Sequence, residues 1–341
     1  MSQILKHQLW AIVLAGGEGT RVREFLTRLC GGSGIKQFCA IIGRRSMLQH
    51  TLARVERLIP RHRILVVVSK DHREEVAEQL SSWPAENIIF QPRNRDTAPG
   101  ILLPLAHISH RDPLANVAIF PSDHFILQED RFMAAVAHAV AETERFPQEF
   151  TLLGIAPDRA EEGYGWIEPA VAEEHRQTRT VQRFWEKPSP IDQHVLLARG
   201  ALWNTFVCTA WAPTLWSLVR QTVPELSRAF SAIRQAIGSP YASEVAHRVY
   251  ETLYPVNFSS DVCERLTSCL RVLPVSEVGW SDWGSVERIC ATLEQLGKLD
   301  ECLARSRHRK YEAVSEFPAV KQQGSMLGSR LKYATPQNHQ R

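Results

Sequence analysis

No apolar run in this chain approaches the roughly 18 residues needed to span a bilayer, so membrane insertion is not expected. The apolar stretch Leu9 to Ala15, after Lys6, is too short for a secretion signal and leads into a glycine turn, so export is not expected either. Cysteine has no framework. The seven residues (Cys30, Cys39, Cys208, Cys263, Cys269, Cys290 and Cys302) are scattered, and none forms a Cys-x-x-Cys pair. A zinc site or disulfide scaffold is therefore not expected. They read as small buried apolar residues of a protein in a reducing, cytoplasmic compartment. An excess of one charge is also missing. Forty basic residues face 37 acidic ones for a net charge of +3, which suggests no nucleic-acid partner. Lysine is scarce, since 32 of the 40 basic residues are arginine. Arginine suits phosphate recognition, although coding bias explains the excess as readily.

What is present is a chain of 341 residues with 44% hydrophobic and 23% charged residues, long enough for one large α/β domain or two ordinary ones. Its most informative segment is Leu14-Ala15-Gly16-Gly17-Glu18-Gly19-Thr20-Arg21, directly after the apolar run Leu9–Val13. A buried strand feeds a glycine turn whose backbone N–H groups can approach a phosphate closely. The arginine adds a fork of always-charged donors. Val22 breaks the G-x-G-x-x-G pattern, and Gly34-Ile35-Lys36-Gln37 lacks the Gly-Lys-Ser/Thr of a P-loop. The turn is thus neither a dinucleotide fingerprint nor a Walker loop.

Strands are expected at Leu9–Leu14, Ile64–Val68, Ile88–Gln91, Val117–Phe120 and Leu152–Ile155. Between them lie helical patterns at Ser46–Ile59, after a capping Asp71, at Ala98–Ser109 and at Phe132–Glu144. This alternation predicts a Rossmann-like, doubly wound α/β fold with a mostly parallel sheet, helices on both faces and ligands beyond the carboxyl ends of the strands. Residues 1–158, which carry the glycine turn, are expected to form the first half of this domain and to hold the nucleotide. Residues 159–303 are expected to form a substrate-side elaboration on the same sheet, with strands near Gly165–Glu168, Val181–Glu186 and Leu270–Val275. Helices there fall near Ile191–Ala198, Leu215–Val223, Glu244–Leu253 and Val286–Leu296. Together, 1–303 make one catalytic domain, and 304–341 a polar, mobile tail.

Several residues could carry chemistry, each with a plainer alternative. Lys36 is a second phosphate contact or an exposed lysine. Asp123, in Pro121-Ser122-Asp123-His124 after a strand, is a magnesium ligand or a turn cap. Gly163-Tyr164-Gly165-Trp166-Ile167-Glu168-Pro169 holds a sugar or forms a packed hairpin. Glu186 and Lys187, before Pro188, grip a sugar and its phosphate or form a surface pair. Asp282, in Gly279-Trp280-Ser281-Asp282-Trp283-Gly284-Ser285, is a second metal ligand or a helix N-cap. Asn257-Phe258-Ser259 matches a glycosylation sequon that no export signal supports.

The ordered series L-A-G-G-E-G-T-R, K-Q-F, Q-P-R-N-R-D-T-A-P, F-P-S-D-H-F, G-Y-G-W-I-E-P, F-W-E-K-P, W-N-T-F and G-W-S-D-W-G-S resembles the sugar-1-phosphate nucleotidyltransferases over residues 9–296. Within them it is similar to the mannose-1-phosphate guanylyltransferases. The resemblance implies transfer from GTP to mannose-1-phosphate with Mg²⁺ as cofactor. It implies that Leu14, Ala15, Gly16, Gly17, Gly19, Thr20 and Arg21 cradle the nucleotide, with Lys36 on phosphate. Gln91, Thr97 and Ala98 would lie near the base. Gly165, Glu186 and Asn204 would contact the sugar, and Lys187 its phosphate. Asp123 and Asp282 would hold the metal, and Arg21, Lys36, Asp123 and Lys187 would carry catalysis.

Three departures from the family's pattern touch the loop and the base contacts. Val22-Arg23-Glu24 and extra residues up to Gly34 follow the arginine, Ile35 replaces a proline, and Asp96 stands where Asn or Gly is usual. Other readings are a glucose-1-phosphate uridylyl- or thymidylyltransferase, a nucleotide-sugar-dependent glycosyltransferase, and a non-catalytic nucleotide-sugar sensor. The C-terminal segment shows no strand-rich extension, so neither an isomerase half nor a β-helix is expected. The partners implied are GTP and a hexose-1-phosphate, with a homo-oligomer left open.

Overall fold

The structure is a computed structural model, and it describes residues 9–308. Its strands are β1 (Leu9–Ala15), β2 (Ile64–Ser69), β3 (Ile88–Gln91), β4 (Asn116–Pro121), β5 (Phe125–Ile126), β6 (Phe150–Ile155), β7 (Gly165–Pro169), β8 (Arg179–Glu186), β9 (Leu202–Trp211), β10 (Leu270–Val275) and β11 (Trp280–Ser281). The helices are α1 (Arg23–Cys30), α2 (Met47–Val55), α3 (Arg73–Gln79), α4 (Thr97–Arg111), α5 (Glu129–Arg145), α6 (Pro190–Ala198), α7 (Ala212–Thr222), α8 (Pro224–Ala236), α9 (Ala242–Thr252), α10 (Val286–Gln295) and α11 (Leu299–His308).

Nine strands form one sheet in the order β3-β2-β1-β4-β9-β6-β10-β8-β7, and β5 and β11 form a small ribbon. The side chains of β1 explain why both faces are covered. Trp10 and Ile12 enter one apolar cluster with α4, α7, α8 and α9. Leu9, Ala11, Val13 and Ala15 enter another with α2, α3 and α5. A strand buried on both sides needs helices on both sides. Helix starts follow local capping chemistry. The Ser46 side chain accepts from Gln49 N while the Gln49 side chain accepts from the Ser46 backbone, closing a capping box at α2. Ser69, not Asp71, provides the side-chain acceptor before α3.

The expectation of a mostly parallel sheet needs correction. Parallel register joins β3, β2, β1 and β4, and also β6 and β10. Pairings β4–β9, β6–β9, β10–β8, β7–β8 and β7–β9 are antiparallel, so the sheet is mixed. β9 separates the two parallel sets and is not evident in the sequence, because Asn204, Thr205 and Thr209 interrupt its apolar pattern. Thr205 and Thr209 are nonetheless fully buried, and the Thr205 hydroxyl donates to Leu153 O at 2.7 Å. The two halves read from the sequence share this sheet. α11 continues the chain in helix past residue 303, and the remainder of the expected tail, 309–341, lies outside the described residues. Among the described residues no helix is long and apolar enough to cross a membrane.

Candidate active site

The carboxyl ends of β1 and β4 lie side by side, tied by Ser122 N donating to Leu14 O at 3.1 Å. Beyond them opens a cleft of about 320 Å³, within the size range of small-molecule sites. Leu14, Gly16, Gly17, Arg21, Thr97, Asp123, Gly165, Glu186, Lys187, Asn204 and Asp282 all line it. Segments as far apart in the chain as Leu14 and Asp282 thus converge on one opening.

The glycine turn is held in shape rather than left loose. Gly19 has φ 60, a left-handed conformation that side chains disfavour. A Cβ there would stand 3.3 Å from Lys36 N. Gln37 pins the turn from beneath, its amide donating to Ala15 O at 2.9 Å and Gly17 O at 2.7 Å. The sequence assigns Gln37 no role, because a glutamine beside a lysine carries no chemical signal of its own. Replacing Gln37 with alanine strands two backbone acceptors. We expect a stability loss of about 1–3 kcal/mol in urea unfolding.

Arg21 is exposed on the cleft wall and has no hydrogen-bond partner among the described residues. Its guanidinium is available to an anion. Lys36 is placed otherwise than the sequence suggested. It is 5% exposed and does not line the cleft. Its ammonium donates to Asp123 Oδ2 at 2.7 Å and to Asp282 O at 2.6 Å, with Trp283 O at 3.5 Å. Lys36 therefore braces the two aspartates from behind. Ala15, Gly19, Thr20, Gln91 and Ala98 also stay out of the cleft lining. Ala15, Gln91 and Ala98 are buried. Gln91 packs behind Gly16, where a Cβ would meet its Oε1 at 2.9 Å.

Asp123 and Asp282 are each tied by one carboxylate oxygen. Asp282 Oδ1 accepts from the Tyr164 hydroxyl and Gly284 N, both at 2.9 Å, and from the Arg288 guanidinium. Arg288 in turn reaches Glu161 at 2.5 Å and lies over the Tyr164 ring. The alternative of an N-cap is overturned, since Ser285 caps α10. Burial pushes both carboxyls up. The Lys36 ammonium and His124 outweigh it at Asp123, and His124, Arg288 and Lys36 outweigh it at Asp282, so both stay below the usual carboxylate range. His124 is driven down to about 4, chiefly by burial, and its Nδ1 accepts from Trp280 Nε1 at 3.2 Å. It is a neutral, structural ring at pH 7.

Asp123 Oδ1 and Asp282 Oδ2 carry no partner among the described residues. Two oxygen donors suit Mg²⁺, which takes one or two carboxylates and completes its shell with substrate phosphates and water. Among the described residues no group of three or more acidic, histidine or cysteine side chains could hold a metal without such help. The donor set fits a metal carried in with phosphate.

On the other wall, Lys187 donates to Glu186 at 2.8 Å and remains half-exposed. Gly165 leaves room for that carboxylate, since a Cβ would stand 3.1 Å from Glu186 Oε2. Asn204 Oδ1 accepts from Phe206 N at 3.0 Å. Near Thr97 a stitched corner appears that the sequence does not reveal. Asn257 donates to Asp96 Oδ1 at 3.2 Å, Phe258 N donates to Thr97 Oγ1 at 2.8 Å, and Ala98 N donates to Val256 O at 3.0 Å. Asn257 and Ser259, visible in the sequence only as a sequon, line the cleft. Asp96 has φ 69, which explains why glycine suits that position. Its own carboxylate accepts from Thr97 N at 2.6 Å and steadies the strained residue.

A family model described as Nucleotidyl transferase matches residues 10–298. The chain belongs to this nucleotidyl transferase family. It is 31% identical over 299 residues to the Xanthan biosynthesis protein XanB of Xanthomonas campestris pv. campestris, covering 84% of this chain and 60% of that protein. It is 31% identical over 292 residues to a mannose-1-phosphate guanylyltransferase of Escherichia coli (strain K12), covering 82% and 58%. The chain thus spans about three fifths of the length of these curated relatives. A solved structure from Thermus thermophilus, described as mannose-1-phosphate geranyltransferase, superposes with a TM-score of 0.71 at 25% identity, covering 83% of this chain and 79% of the other. A UDP-glucose pyrophosphorylase complexed with UDP-glucose shares the fold at TM-score 0.52 and 13% identity, covering 89% and 99%.

Proposed function

We propose that this nucleotidyl transferase moves the guanylyl group of GTP onto mannose-1-phosphate, releasing pyrophosphate and GDP-mannose. The observation that carries the reading is one cleft lined by Arg21 on the glycine turn, Lys187 beyond β8, and the aspartates Asp123 and Asp282. Relatives named for this activity supply the choice of base and sugar.

The attacking group is an oxygen of the sugar phosphate. It bonds to the α-phosphorus of the triphosphate as the bond to the bridging oxygen breaks in line. That oxygen is already anionic, so no general base is required, which agrees with a neutral His124 engaged by Trp280. The barrier is repulsion between two anions and the difficulty of aligning them. Arg21 and the amides of the glycine turn bind the triphosphate. Lys187 binds the sugar phosphate while Glu186 and Asn204 address sugar hydroxyls. Thr97 and Asn257 face the base. Lys36 and Arg288 hold Asp123 and Asp282 ionised and oriented, and these two carboxylates would hold Mg²⁺. When bound, Mg²⁺ supplies positive charge to the crowded phosphates.

Replacing Lys187 with alanine is expected to raise the KM for the sugar phosphate about tenfold with a smaller change in kcat, because the lysine grips that anion before and during transfer. Initial rates over a range of each substrate check this, and an effect confined to the triphosphate KM contradicts the role. The reading as a whole is tested by pyrophosphate release from four nucleoside triphosphates against mannose- and glucose-1-phosphates. GTP with mannose-1-phosphate is expected to be fastest. Preference for UTP or dTTP with glucose-1-phosphate overturns the assignment.

A further inference from the structure

We propose that Glu161 is a positioning residue: through the Arg288 guanidinium it ties the segment carrying Gly163, Tyr164 and Gly165 to Asp282, and so sets the wall that the proposed function assigns to the hexose-1-phosphate. This rests on that assignment. Two consecutive acids, Glu161-Glu162, precede Gly163, and the sequence does not rank them. The structure does. Glu162 is exposed, whereas Glu161 turns inward, with 16% of its side chain exposed. Its Oε1 accepts from Gly163 N at 3.2 Å and from Arg288 Nη2 at 2.5 Å. Its backbone carbonyl accepts from Trp166 Nε1 at 3.1 Å. Arg159 Nε stands 3.7 Å from the other carboxylate oxygen.

Arg288 divides its fork. Nη2 serves Glu161, and Nη1 serves Asp282 Oδ1. Tyr164 closes the circuit. Its ring centre lies 4.4 Å from the guanidinium carbon, and its hydroxyl donates to the same Asp282 oxygen at 2.9 Å. Two glycines make room for the guanidinium. A Cβ at Gly163 would stand 2.7 Å from Arg288 Nη2, and one at Gly284 3.1 Å from Nη1. A planar guanidinium holds two carboxylates at once in fixed directions, which a lysine ammonium does not. Arg288 is 9% exposed, so salt screens neither contact well.

The neighbours show what is positioned. Gly163, Tyr164 and Gly165 line the cleft beside Glu186, Lys187 and Asn204. A Cβ at Gly165 would stand 3.1 Å from Glu186 Oε2 and 3.4 Å from Asn204 Cβ, so the segment abuts the side chains assigned to the sugar. Residues 156–164 lie in neither strand nor helix, so side chains must fix what no backbone ladder fixes. Removing the Glu161 carboxylate leaves Arg288 on Asp282. The metal-side carboxylate keeps its partner, and only the sugar-side segment loses one.

The test compares Glu161→Ala, Glu161→Gln and Glu162→Ala in the full-length protein. Turnover is read on whichever triphosphate and hexose-1-phosphate the parent uses, so failure of the GTP and mannose-1-phosphate reading leaves this test standing. Glu161→Ala is expected to raise the KM for the hexose-1-phosphate about tenfold, with kcat and the triphosphate KM changed less than about threefold. Glu161→Gln keeps the acceptor for Gly163 and Arg288 and is expected to recover that KM to within about threefold of the parent. Glu162→Ala is the exposed control and is expected to match the parent. A second measurement needs no substrate: brief trypsin treatment of the native protein, mapped by mass spectrometry. The cut after Arg159 is expected about fivefold faster in Glu161→Ala than in the parent or in Glu161→Gln, with the urea midpoint unchanged. A hexose-1-phosphate KM raised less than about threefold in Glu161→Ala, an equal rise for both substrates, or an Arg159 cut no faster than in the parent overturns the proposal. Lys187→Ala, run alongside, locates such a failure. If it shifts only the triphosphate KM, the wall is misassigned; if it shifts the hexose-1-phosphate KM, the Glu161 tie alone has failed.

Discussion

Asp123→Asn is expected to lower turnover by about a thousandfold while leaving the circular dichroism spectrum unchanged. Asp123 lies two residues beyond β4 and lines the cleft, with one carboxylate oxygen held by the Lys36 ammonium at 2.7 Å. Asparagine preserves shape and a hydrogen-bond acceptor, so the fold has little reason to change. It removes a full negative charge where the reaction needs a carboxylate to hold the cation that offsets two phosphates. It also leaves Lys36 with an amide and two backbone carbonyls in place of an ion pair, so some loss of melting temperature accompanies the loss of rate. Pyrophosphate release at saturating substrate measures the effect. Turnover within tenfold of the parent removes Asp123 from the role assigned to it.

Arg21→Ala is expected to cost about a hundredfold in kcat/KM for the triphosphate, with unfolding unaffected. The side chain is exposed and contacts no partner among the described residues, so the folded state loses little. Charge-assisted hydrogen bonds to phosphate contribute about 1.5–3 kcal/mol, which sets the size of the effect. Arg21→Lys should recover only part of it, because an ammonium cannot present a bidentate fork. Initial rates across triphosphate concentrations distinguish the two variants. An equal fall in stability and activity indicates a structural arginine instead.

The parts of the site legible in the sequence are those where chemistry is carried by a residue at a strand end. Arg21, Asp123, Glu186, Lys187 and Asp282 all line the cleft: the parallel β1 and β4 deliver the first two to one edge, the end of β8 brings Glu186 and Lys187, and Asp282 follows β11. The braces are not legible. Lys36, read from the sequence as a phosphate contact, is engaged by three oxygen acceptors that only tertiary structure brings near. Gln37, Arg288 and Asn257 act through backbone carbonyls or other side chains that only tertiary structure brings near. In the fold, continuous apolar strands such as β1 and β2 announce themselves. β9 hides because its threonines satisfy their hydroxyls internally or pack against neighbours. α1 and α8 escape the sequence pattern for different reasons. α1 occupies what reads as extra residues in a glycine-rich loop, and its stripe of Leu26 and Leu29 is short. α8 begins at Pro224, which marks a break in sequence yet fits the first helical position.

The most direct measurement is a crystal structure of the protein with GDP-mannose and Mg²⁺. The account predicts the diphosphate lying in the cleft between Arg21 and Lys187, the metal on Asp123 and Asp282, and the sugar against Glu186 and Asn204. A product bound elsewhere, or a diphosphate with neither cation within reach, contradicts it.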